Sequence, residues 1–120
     1  MKYMILIGGN HAGWAALGEA GMKRVMDAHN ALFDELTASG ELVETNELGV
    51  TAEDARVVRV TNGALTVTDG PFVESKEIVA GYYILDVADI DRATTIASRI
   101  VEAEFAPVEV RLINEEQPDH

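Results

Sequence analysis

The chain contains no cysteine in its 120 residues. Disulfide bridges, thiolate nucleophiles and cysteine-based zinc sites are therefore excluded. Long apolar runs are missing too, and no segment approaches the roughly 20 apolar residues that a membrane-spanning helix needs. The N-terminus runs straight into a strand pattern, with no basic leader, hydrophobic segment and cleavage site, so the expectation is a cytoplasmic chain. Basic residues are scarce: 9 Lys+Arg stand against 21 Asp+Glu, a formal net charge of −12. Phosphate-backbone binding needs a basic footprint, so neither nucleic acid nor an anionic membrane is an expected partner. The acidic excess either serves solubility or suits a basic partner protein.

Several catalytic signatures are absent as well. Gly8-Gly9 lacks the spacing and the lysine of a phosphate-binding loop. The three histidines are not at metal-ligand spacing, and Ser39, Ser75 and Ser98 have no nucleophile-elbow context. No cofactor and no metal is expected. What remains is an ordinary globular composition, 48% apolar and 25% charged, long enough for one core. The expected organisation is a single domain over 1–113 with a polar tail, NEEQPDH, over 114–120.

Residues 3–7 (YMILI) form a continuous apolar run that reads as a central strand covered on both faces. The Gly- and Ala-rich stretch 10–21 has no clear period and reads as a loop with one helical turn; Trp14 lies in it, packing onto the core or lining a cleft. From Met22 to Ser39, Met22, Val25, Met26, His29, Leu32, Phe33 and Leu36 recur at helical spacing and share a stripe, and Gly40 supplies the stop. A short strand fits 41–48. Asn62-Gly63 between 56–61 and 64–68 predicts a β-hairpin with a type I′ turn. Residues 82–87 (YYILDV) predict another strand, in which Tyr82 and Tyr83 face opposite sides, one of them towards a cleft. Asp89 caps a second helix in which Ile90, Ala93, Ala97, Ile100 and Val101 share a face, and 108–113 is the last strand. The order β-α-β, hairpin, β-α-β predicts an α+β fold, a ferredoxin-like sandwich with both helices on one sheet face. The other face is left apolar and open, which predicts a homodimer packed sheet to sheet.

Between the hairpin and YYILDV lies DGPFVESKE, residues 69–77. Gly70-Pro71 breaks any regular element. Around the break stand Asp69, Glu74, Lys76 and Glu77, with Phe72 as the one aromatic, a density of charge that a surface turn does not need. This stretch, with VTDGPF before it and GYYILDV after it, resembles the signature of the DGPF branch of the YCII-related proteins. The resemblance implies a dimeric α/β barrel.

Among the histidines, His29 alone sits in a well-defined element. An inward histidine is either a core residue donating to a backbone carbonyl or, beside a carboxylate, a general acid or base. The resemblance bears on that choice. His29, Gly40 and Leu42 reproduce the family's spacing, which implies that His29 takes the histidine role of a His–Asp dyad. The family's aspartate, late in the second helix, has no counterpart in IASRIVEAEFAP, where Glu102 and Glu104 stand instead. Asp69, a turn residue or an orienting acid, is the third candidate partner. Lys76 within a carboxylate-rich loop suits an anionic substrate group, or makes an exposed pair with Glu74; Phe72 plugs the core beneath the turn or meets the substrate with them.

Two functional readings stand open. One is a cofactor-free enzyme with His29 and Asp69 as catalytic groups acting on a small polar or phenolic substrate bound by Phe72, Glu74 and Lys76. The resemblance implies such chemistry through lyase- or dehydrochlorinase-like relatives. The other is a non-catalytic ligand- or protein-binding module, which the resemblance links to extracytoplasmic-function sigma factors as partners.

Overall fold

The computed structural model describes residues 1–70 and 78–115. Along the chain run β1 (Lys2–Gly9), α1 (His11–Ser39), β2 (Leu42–Glu47), β3 (Arg56–Thr61), β4 (Ala64–Asp69), β5 (Ile78–Asp86), α2 (Ile90–Ala97), a 3-10 turn (Val101–Glu104) and β6 (Val108–Leu112). Four strands make an antiparallel sheet in the order β2-β5-β1-β6, and β3 pairs only with β4 in a second, two-stranded sheet. This is a mixed α+β fold compatible with a ferredoxin-like sandwich, into which the hairpin is inserted.

Strand alternation decides which side is buried. On β1, Tyr3, Ile5 and Ile7 are buried, and on β5 the facing Tyr83 and Leu85 are too. They pack against Leu32 and Leu36 of α1 and Ala93, Ile96 and Ala97 of α2. Both helices therefore cover the same sheet face. The opposite parity, Met4 and Leu6 on β1 with Tyr82 and Ile84 on β5, is only half-buried. β1 is central, and of the two covers expected for it the described residues of one chain supply the helical one. Among the described residues there is no third layer.

The stretch 10–21 is helix and not loop. Asn10 caps it, its side-chain oxygen accepting from the Gly13 N–H at 2.6 Å, and alanines sustain it. Periodicity is lost because the helix is broken. Gly18 has φ 65° and ψ −174°, a conformation open to glycine at little cost, so two helical segments meet at a kink. At the far end Gly40 adopts the left-handed conformation that closes α1, as expected. Asn62 and Gly63 both take positive φ at the tip of the hairpin, and Asp89 caps α2 by accepting from the Arg92 N–H at 2.9 Å. Ile96 replaces Ile90 on the buried face of α2; Ile90 is exposed in the first turn.

Candidate functional site

Val25, Leu32 and Leu36 are the buried positions of α1, and His29 lies on the same side, four residues after Val25. The remaining stripe residues do not join the core. Met22, Met26 and Phe33 are 43%, 54% and 47% exposed, and instead line a cavity of about 480 Å³. The shared stripe is therefore not buried along its whole width. The α1 stripe is wider than the sheet beneath it, so one margin packs and the other borders open space. Trp14, from the segment before the kink, and Leu48 with Val50, beyond β2, complete the apolar wall.

The polar end of this cavity is built from three elements. α1 supplies His29, whose side chain is 23% exposed, and the 3-10 turn supplies Glu102, 12% exposed. β5 supplies Tyr83, on the core-facing parity of the strand. The His29 Nε2 lies 2.9 and 2.8 Å from the two carboxylate oxygens of Glu102, and Nδ1 lies 2.6 Å from the Tyr83 hydroxyl. The two rings stack, with centroids 5.8 Å apart and planes 18° from parallel. A carboxylate only accepts, so Nε2 carries the proton, and in the neutral ring Nδ1 accepts from the Tyr83 O–H. Burial pushes the Tyr83 phenol up to about 12; the negative charge of Glu102 adds to this, and the Thr45 hydroxyl offsets part of it.

Glu102 is placed by its neighbours. Buried Ile100 and Val101 anchor the turn, and the Glu102 carbonyl accepts from the N–H groups of Phe105 and Ala106. Glu104, two residues on, points elsewhere. Both its oxygens accept from the Arg24 guanidinium, which holds its carboxyl below the usual range. Of the three carboxylates considered for His29, the structure brings Glu102 to the ring.

Asp69 is not brought there. It ends β4 opposite Arg56, whose Nε lies 3.2 Å from its Oδ1, and its side chain is 70% exposed. The hairpin register gives this carboxylate to a guanidinium, on a sheet separate from the one that carries Tyr83. The expectation that Asp69 orients His29 is thus replaced by Glu102. Phe72, Glu74 and Lys76 lie outside the described residues. Tyr82 is on the open face, bonded to Asn46 and Glu44, so Tyr83 is the tyrosine that reaches the cleft. Among the described residues no group of three or more His, Asp or Glu side chains is arranged to hold a metal. No helix there is long and apolar enough to cross a membrane.

A carboxylate, an imidazole and a phenol thus stand in hydrogen-bonded series at one end of an apolar cavity on an α+β scaffold. The chain belongs to the YCII-related domain family, whose pattern it matches over residues 1–117. It is also similar to an uncharacterized protein of Rhizobium meliloti (strain 1021), 30% identical over 103 residues that cover 86% of this chain and 82% of that protein.

Proposed function

We propose that this protein is a cofactor-free enzyme whose His29, backed by Glu102, takes or gives a proton on a small substrate, phenolic or otherwise polar at one end, by way of the Tyr83 hydroxyl bonded to its Nδ1. One observation carries the reading. His29 borders the cavity while its Nε2 is held by a carboxylate at 2.8 Å. A core histidine of purely structural role has no need of an adjoining chamber. Such a dyad fixes the ring's tautomer and stabilises its charged form once it has taken a proton. General acid–base catalysis of this kind contributes on the order of 10²–10⁴ in rate.

The test is a thermal-shift screen of small phenols and carboxylic acids against wild type and His29→Gln. A compound present at 100 times its Kd adds about 2.7 kcal/mol to the native state, enough to raise Tm by several degrees. Expected is at least one compound that stabilises wild type and is turned over, with turnover lost in His29→Gln. Binding without turnover for every hit would favour the binding-module reading, for which the net charge of −12 and a basic partner such as a sigma factor are the supporting considerations. The half-buried Met4, Leu6, Tyr82 and Ile84 on the helix-free face support a homodimer packed sheet to sheet.

A further inference from the structure

Both nitrogens of His29 are already engaged within the chain, Nε2 by Glu102 and Nδ1 by Tyr83. A ligand in the cavity therefore finds no free imidazole nitrogen. We infer that the ligand meets the hydroxyl of Tyr83, and that the charge on His29 sets whether this hydroxyl offers a proton or a lone pair. The inference rests on reading the cavity as the binding site and goes on to name the atom and the ligand chemistry.

The reasoning is a matter of counting donors. With the ring neutral, the Nε2 proton goes to Glu102, Nδ1 accepts from the Tyr83 O–H, and the phenol oxygen has only lone pairs left to offer a ligand. With the ring protonated, both nitrogens donate. The Tyr83 oxygen then accepts from Nδ1–H, and its own proton is turned away from the ring. The nearby Thr45 hydroxyl on β2 gives its proton to the Tyr82 carbonyl at 2.8 Å. The charged or titratable groups around this switch are Glu102 on the 3-10 turn, Tyr83 on β5 and Glu47 at the end of β2, which also lines the cavity. The Arg24–Glu104 pair lies further out and is internally neutralised.

The rest of the chamber selects the body of the ligand. Trp14, Met22, Met26, Phe33, Leu48 and Val50 give it an apolar wall. The ligand class is therefore an apolar, ring-sized body carrying one oxygen. A carbonyl is held while His29 is charged, and a hydroxyl is held while His29 is neutral.

Acetophenone and ethylbenzene share an apolar body and differ by an oxygen that only accepts. Their affinities for the full chain are to be measured by calorimetry across the protonation of His29, followed in parallel by its imidazole proton resonances. Expected is a preference for acetophenone of about tenfold, the size of one hydrogen bond, on the acid side of that transition. The preference fades on the alkaline side and is absent at all pH in Tyr83→Phe, while Tyr82→Phe, altered on the open face, behaves as wild type. The Tyr83 ring carbon bearing the hydroxyl moves through the same midpoint as His29 in its ¹³C shift, and is flat in His29→Gln. Equal affinity of the two probes, binding of neither, a preference that survives Tyr83→Phe, or a Tyr83 signal indifferent to His29 overturns the inference. A protein that shows the preference but turns over no substrate refutes the enzyme reading and leaves this one standing.

Discussion

His29 and Glu102 are separated by 73 positions in the chain, yet the carboxylate straddles Nε2 with both oxygens within 2.9 Å. The neutral ring is therefore held as the Nε2–H tautomer. In Glu102→Ala that restraint is gone, and ¹⁵N shifts of the ring are expected to move from a single tautomer to an averaged population. A ring that keeps its tautomer without Glu102 would show that Tyr83 alone orients it.

The α1 stripe divides into a packed half and a chamber half, and the two halves respond differently to truncation. Leu32→Ala removes a fully buried side chain and is expected to cost roughly 2–5 kcal/mol in denaturant unfolding. Met26→Ala, at a half-exposed position, is expected to change stability by less than about 1 kcal/mol and to enlarge the chamber. Equal costs for the two would mean that Met26 is core after all.

Glu41 accepts from both the Nε and the NH2 group of Arg92, and from the Ser39 hydroxyl. The Arg92 hydrogen bonds, aided by Ser39, bring its carboxyl down to about 2. A folded-state value below the unfolded one stabilises the fold above the unfolded value of about 4.3. That stabilisation is lost as the pH falls towards about 2. Urea midpoints measured between these limits are expected to fall more steeply for wild type than for Glu41→Gln. Parallel pH profiles would remove this pair from the acid response.

Tyr83 has the opposite linkage. Its folded value, near 12, lies above the usual phenol value of about 10. The neutral phenol thus stabilises the fold below the unfolded value, and that contribution disappears as the pH rises through the folded one. The expected signature is a phenolate absorbance step delayed to about pH 12 that is missing in Tyr83→Phe. A Tyr83 step that comes instead at the ordinary phenol value of about 10 would place the hydroxyl in solvent.

On the helix-free sheet face, Leu6→Asp and Ile84→Asp put charge at half-buried apolar positions. If that face joins two copies, sedimentation of either variant is expected to report a monomer of unchanged secondary structure. A wild-type monomer at micromolar concentration would refute the pairing.

Much of the framework was legible because its signals are local. Asn62-Gly63, Asp89 and Gly40 each fix backbone geometry through their own side chains or the lack of one, and all three act where expected. His29 was legible from its place on the α1 stripe. Its partner was legible only as a set of three carboxylates, because the choice depends on where a turn after α2 comes to rest. Tyr83 could not be chosen over Tyr82, since YYILDV is apolar on both parities and only the burial of Leu85 beside Tyr83 breaks the tie. The first part of α1 was missed because the break at Gly18 scrambles the period on which a helix is recognised.

That break also governs the dimensions of the chamber. Trp14 and Leu17 come from the segment before Gly18, while Met22 and Met26 come from the segment after it, and all four border the same space. The angle between two lengths of one helix is thus the gauge of what fits inside. A change at this single backbone joint, eleven positions from His29, would resize the chamber without disturbing His29, Glu102 or Tyr83.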